Sequence, residues 1–394
     1  MIAIINGKIV TPEKIIEGKI LLLEQDRIFG YANSIDDMDV DAVERVVNAH
    51  GRYIMPGIID IHSDRIEQYI QPRPTSQMDF EFALKVCERD LLGSGITTIY
   101  HSISLFKDEF FGKSPLRTKA NVQKIAYLIA NIHLRNHLIH HRFHLRIEID
   151  NLDAFQIAHD MIRQEKVHLI SFMDHTPGQG QYSDFGTYRD AISGYNGKLV
   201  GELGFEGVVA LHQNKPTLSF GQLKELSALA REKAIPVASH DDDTEEKLRF
   251  NKEIGVDISE FPISLEAAIS AKSKGLCTVV GSANILRGRS HSGNLSATDA
   301  VIEGCADVLC SDYYPAAILN SIFAMNAEHC VPLPHMVKMA TLNPAKAAKI
   351  EKDYGSIEAG KKADLLIVDI LDGYPVITHA FVDGITVSRI EYRR

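Results

Sequence analysis

The sequence predicts an α/β fold: a TIM-like (β/α)8 barrel with a small β-sandwich domain built from both termini. Three observations predict it. Eight short apolar or β-branched runs occupy the middle of the chain, at 58–62, 96–102, 142–149, 167–173, 235–239, 256–261, 276–281 and 307–311. Helical patterns separate most of them, as at 118–139, 153–165, 221–233, 244–253 and 264–273. Strands that alternate with helices form a parallel sheet, and eight of them suit a closed barrel. Finally, both ends of the chain read as short strands joined by turns.

Each piece follows in order. Residues 1–52 alternate apolar runs with turns, and 353–394 read as strands and a hairpin. Neither has enough core to stand alone. Packed together, 1–52 and 353–394 make one small β-domain, leaving 53–352 as the barrel. A doubly wound open sheet would want a glycine-rich phosphate turn after the first strand. His62-Ser-Asp-Arg65 stands there instead. The stretch 176–220 is rich in Gly, Gln and Tyr and is predicted as an irregular active-site loop or lid.

Composition narrows the function. A net charge of −10 argues against a nucleic-acid partner. No run approaches the roughly 18 apolar residues of a membrane span, and Met1–Lys8 does not open a signal peptide. Five cysteines, an odd count without a C-x-x-C pair, suit a reducing, cytoplasmic setting. A homo-oligomer is compatible with this composition.

The chemistry gathers at predicted strand ends, where barrel enzymes place their active sites. The first strand ends in His62-x-Asp64, two donors aimed together if the strand alternation holds. The third ends at Glu148, the fourth at Asp174 and His175, the fifth at His240, and the eighth at Asp312. Imidazole and carboxylate together suit Zn²⁺, Mn²⁺ or Fe²⁺. Each has a plainer reading. Glu148 could pair with Arg146 inside the barrel, Asp174 could orient His175, and Asp312 could cap a turn. Asp241, Asp242 and Asp243 could cap the next helix. The histidines at 133, 137, 140, 141 and 144 lack an H-E-x-x-H pattern and read as packed or solvated. The loop after the seventh strand holds Arg287, Arg289, Ser290, His291, Ser292 and Asn294 among glycines. Such a loop suits phosphate, since Arg binds phosphate oxygens in pairs.

At these residues the chain resembles the amidohydrolase superfamily, and within it the phosphonate-metabolism branch. The resemblance rests on His62-x-Asp64, Glu67, Pro72-Arg73-Pro74, Gly95-Ile-Thr-Thr98, His144-Leu-Arg-x-Glu148 and Met173-Asp-His-x-Pro-Gly-Gln179. It continues through Ala238-Ser-His-Asp-Asp242, Asn284-Ile-x-Arg-Gly288, Ser290-His-Ser-Gly-Asn294, Ser311-Asp-Tyr-Tyr-Pro315 and Asn343-Pro344. It covers nearly the whole chain. Two departures are Arg289, where the branch has Gly, and Ala283, where it has Pro.

The resemblance implies two divalent ions, Zn²⁺ foremost with Mn²⁺ or Fe²⁺ as alternatives. Their ligands would be His62, Asp64, His175, His240 and Asp312, with Glu148 bridging. It implies Asp312 as the catalytic proton acceptor. The substrate would be a phosphorylated sugar phosphonate, α-D-ribose 1-methylphosphonate 5-triphosphate, with Mg²⁺ accompanying the triphosphate. Arg65, Glu67, Arg73 and His101 would reach it from the first two loops. The metal ligands alone would equally suit hydrolysis of a cyclic amide or N-acyl group. The Arg-Ser-His loop weighs against that, and a complete ligand set with a base weighs against a non-catalytic metal-binding scaffold.

Overall fold

Eight parallel strands run side by side in chain order, β1 (Ile58–Ser63), β2 (Ile96–Leu105), β3 (His140–Glu148), β4 (Leu169–Met173), β5 (Val237–His240), β6 (Ile258–Glu260), β7 (Cys277–Gly281) and β8 (Val308–Cys310). The computed structural model describes residues 1–34, 37, 42–73, 75–105, 110, 115–288 and 294–393. The barrel closes where Ser63 bridges Asp312 in parallel. Asp312 N–H donates to His62 O (3.0 Å) and Asp64 N–H to Asp312 O (2.9 Å). Closure therefore sets Asp64 and Asp312 side by side on the rim.

Alternation decides what each strand presents. On β3, Phe143, Leu145 and Ile147 are wholly buried against the helical layer. His144, Arg146 and Glu148 take the opposite face and look into the barrel. A layer of Ile59, Tyr100, Leu169, Ala238, Ile258 and Val308 fills the lower interior. Each such side chain contributes on the order of 1.5–3 kcal/mol by leaving water. The polar residues sit above that layer, so the chemistry rests on a packed floor.

Strands from both termini share one six-stranded sheet. Tyr53–Pro56 pairs antiparallel with Leu365–Leu371 and parallel with Lys8–Val10. Residues 53–56, assigned to the barrel on sequence, thus pair in this terminal sheet. A second sheet of four strands shares its core through Ile4, Leu21 and Leu23 packed near Leu365 and Phe381.

Two local readings change. The segment predicted as an irregular lid contains a helix, Phe185–Gln213, broken at Asn196 and Gly204. Asp184 caps it by accepting from Thr187 N–H, and Tyr188, Ile192 and Val208 anchor it in a small apolar cluster. Its glycines signalled a loop, but capping and burial outweigh them. The helix expected over 118–139 stops at Ala130, and β3 begins at His140. No helix among the described residues is long and apolar enough to cross a membrane.

Candidate active site

A cavity of about 720 Å³ opens at the C-terminal ends of the barrel strands. Asp64, Glu148, His175, His240 and Asp312 line it, together with Glu67, Arg287 and Asn294. His62 lies beneath, 1% exposed, with its ring 5.0 Å from that of His144 and 5.4 Å from that of His240.

Simple alternation does not deliver the His62–Asp64 pair. The β1–β2 register shifts between Asp60 and Ser63. That irregularity turns His62 inward, while Asp64 falls just past the strand, ahead of the short helix Arg65–Ile70. Bulges of this kind commonly re-aim side chains beside active sites.

Two histidine–carboxylate pairs stand on the rim. His175 Nδ1 is 2.9 Å from Glu148 Oε2, and Ser104 Oγ donates to Glu148 Oε1 (3.1 Å). Burial pushes the Glu148 carboxyl up, but the His175 charge and hydrogen bond outweigh it and leave it lowered. Burial lowers His175 in turn, and Glu148 overcomes this to leave it raised. His240 Nδ1 is 2.7 Å from Asp241 Oδ2. Asp64 is pushed up to about 7 by burial and then by the charges of Asp312 and Glu67. His62 is held well below its ordinary value by burial, then by Arg146 and His240.

The donor set fits a divalent ion. Neither ring nitrogen of His62 makes a hydrogen bond, although Nδ1 lies 3.0 Å from Glu260 Oε1. Asp64 Oδ1 and His144 Nε2 are likewise buried without a hydrogen-bond partner. Buried polar atoms normally have partners, so several orphans converging on one place call for a ligand. Ligand atoms of His62, His144 and Glu260 lie within 4.8 Å of one another.

Sequence reasoning missed His144, Arg146, Glu260 and Arg117. The first two were legible from β3 alternation, since they share a face with Glu148. Glu260 ends β6, where Ser171 Oγ donates to its Oε2 (2.8 Å). Arg117 lines the cavity and holds Glu67 through Nε and Nη2, each at 3.1 Å. His144 also corrects the reading of the histidine run: its Nδ1 meets Ser102 Oγ (2.9 Å), leaving Nε2 toward His62 and Glu260.

Other expectations are overturned. His101 is buried, stacked on His141 with Nε2 2.9 Å from His141 Nδ1, and does not line the cavity. Outward alternation on β2 places it against the helices. Arg65 turns away to Asp90 (3.0 Å) and Tyr69. Arg73 pairs with Ser76 in an isolated bridge outside the cavity lining. Thr244, not an aspartate, caps the helix Glu245–Ile254. Asp241 holds His240, Asp242 takes Ser239 and Asn251, and Asp243 accepts from Gly180 N–H. Asp174, by contrast, takes the orienting place expected for it beside His175, accepting from Thr176 N–H and Gln179. Arg289, Ser290, His291 and Ser292 lie outside the described residues.

A hydrolase class follows from barrel, rim and family together. Residues 53–388 match the model of the Amidohydrolase family, and the chain belongs to that family. Members of this superfamily generally hold divalent metal ions at the barrel rim. Among individual relatives, alpha-D-ribose 1-methylphosphonate 5-triphosphate diphosphatase of Escherichia coli (strain K12) is 30% identical over 386 residues. That match covers 96% of this chain and 98% of the relative. An L-hydantoinase from Arthrobacter aurescens shares the fold with a TM-score of 0.64 at 15% identity, covering 98% of this chain and 96% of that one. N-acetylglucosamine-6-phosphate deacetylase from Pasteurella multocida does so with a TM-score of 0.63 at 13% identity, covering 97% and 98%.

Proposed function

We propose that the protein is a metal-dependent hydrolase of phosphonate metabolism. Its substrate would be α-D-ribose 1-methylphosphonate 5-triphosphate, cleaved to the 5-phosphate and pyrophosphate. The observation that carries this reading is the charge of the cavity wall. Arg117, Arg146 and Arg287 share one cavity with the histidine–carboxylate rim. Guanidinium groups suit phosphate oxygens, whereas a neutral cyclic amide offers carbonyl acceptors but no charge to match them. The E. coli relative's activity on the same compound, across nearly the full length of both chains, supports the reading.

His62, Asp64, Glu148, His175, His240 and Asp312 would hold the ions, Zn²⁺ foremost. Bound there, such an ion lowers the pKa of water and offsets developing charge. The chain's own residues supply the rest. Asp312 is held by backbone hydrogen bonds to His62 and from Asp64, with φ at 59°. It lines the cavity and would accept the proton of the attacking water. One phosphoanhydride bond breaks, one water is consumed, and pyrophosphate leaves with its Mg²⁺. Arg287, whose Nη1 lies 3.4 Å from the Tyr313 hydroxyl, and Asn294 would hold the departing phosphates at the mouth.

Phosphorus-31 NMR of the metal-loaded protein tests this. Pyrophosphate should appear from the sugar triphosphate, with little from a nucleoside triphosphate. No pyrophosphate from a fully metal-loaded sample would contradict the reading.

A further inference from the structure

Two of the three guanidiniums in the cavity pair with no described carboxylate, and they differ in depth. Arg287 at the mouth reaches the Tyr313 hydroxyl, whereas Arg146 stands on the barrel strand between His144 and Glu148. Arg117 is taken by the Glu67 carboxylate from two nitrogens, and Arg287 stands near Tyr313. Arg146 forms no ion pair with any described carboxylate. Its one hydrogen bond among the described residues runs from Nε to Met173 Sδ (2.9 Å). A thioether is a weak acceptor, and no hydrogen bond among the described residues takes the terminal nitrogens.

Its placement is deliberate in the geometric sense. Arg146 lies between His144 and Glu148 on the inward face of β3, half-buried, with its side chain in the cavity wall. Its charge adds to the lowering of Glu148, partly offsets the rise at Asp64, and opposes protonation of His62, His144 and His175. It shares one cavity lining with Asp64, Glu148, His175, His240 and Asp312.

We infer that Arg146 is a specificity-determining residue whose terminal nitrogens bind the oxygens of a phosphoryl group at the barrel centre. This deepens, and rests on, the reading of the cavity as a polyphosphate site. Arg suits that task better than Lys because its planar fork meets two phosphoryl oxygens at once. The same residue would penalise a neutral amide, which leaves the charge unmet. The nearby Met173 thioether holds Nε without competing for the fork.

The test uses full-length, metal-loaded protein and inorganic phosphate as the probe, titrated by calorimetry. Metal content is measured on the same samples. Arg146→Met should weaken phosphate binding about 10–100-fold, the usual range for a charged hydrogen bond. Arg146→Lys should keep part of it, and metal content should match the wild type in both. Unchanged phosphate binding in Arg146→Met would overturn the inference. So would a gain of metal in that variant, because the guanidinium would then be filling an ion's place. If the wild type releases no pyrophosphate yet its phosphate binding depends on Arg146, the substrate reading falls and the inference stands. If wild type and Arg146→Met hydrolyse the sugar triphosphate with equal KM, the inference falls and the substrate reading stands.

Discussion

The strand β3 carries His140 at its start and His144 at its middle, and the surroundings of its two halves differ. At its start, His140 Nε2 lies 3.1 Å from Asp364 Oδ2 and 3.8 Å from Asp383 Oδ2. In its second half, His144, Arg146 and Glu148 face His62, His175 and Glu260. Both clusters have the residue types of a metal site, and both have ligand atoms within 4.8 Å of one another. At the foot the charges are already matched. Lys362 Nζ stands 2.8 Å from Asp383 and 2.7 Å from Asp26, and Asp364 accepts from Asp383 N–H. That cluster ties the barrel to the terminal sheet. At the rim, the His62 ring nitrogens make no hydrogen bond and Arg146 pairs with no described carboxylate. His140 Nε2, Asp364 Oδ2 and Asp383 Oδ1 at the foot are likewise buried without a hydrogen bond. What distinguishes the two clusters is the Lys362 cation that offsets the foot carboxylates and the cavity that opens over the rim.

The sharpest way to break this comparison is to remove one histidine from each end. His62→Ala should strip metal and abolish metal-dependent turnover, whereas His140→Ala should keep both, as read by metal analysis and a pyrophosphate assay. Equal metal loss in the two variants would erase the distinction.

Asp312→Asn comes next. With metal retained, its turnover should fall roughly 10²–10⁴-fold, the range for a lost proton acceptor. A normal rate would remove Asp312 from the reaction.

Glu260→Gln probes the support under His62. Groups that orient a metal-binding histidine typically contribute 10–100-fold in affinity, so chelator competition should show a loss of about that size. An unchanged affinity would make Glu260 an ordinary barrel residue.

The smallest effect belongs to the foot. Lys362→Met should lower stability by about 1 kcal/mol, as partly exposed ion pairs do, with turnover unaffected. The sign of its pH dependence follows from Asp26. The Lys362 hydrogen bond leads the causes that hold that carboxyl below its ordinary 3.8. Its stabilisation is therefore present above pH 3.8 and lost as pH falls through the folded value. The difference in Tm between wild type and variant should shrink on acidification below pH 3.8. A gap that widened there would reverse the assignment.

Much of this was legible in the residues. The strand–helix alternation gave the barrel, and the strand ends gave Asp64, Glu148, His175, His240 and Asp312 around one cavity. What escaped has physical causes. The strand end points to His62, but the register shift at that end is not legible in the period-two pattern. Glu260 and Arg117 reach the site through packing between distant segments. Asp241, Asp242 and Asp243 looked like caps because a run of aspartates before a helix commonly is one. Asp241 turns to its neighbour His240, and more distant partners take Asp242 and Asp243. His101 and Arg65 were placed by proximity in sequence, and the face each presents sent them elsewhere.

Anomalous diffraction from crystals grown with Zn²⁺ tests the central contrast most directly. The account predicts metal density at the rim, touching His62, Asp64 and the Glu148–His175 or His240 side chains, and none at the foot. Density between His140, Asp364 and Asp383 with an empty rim would contradict it.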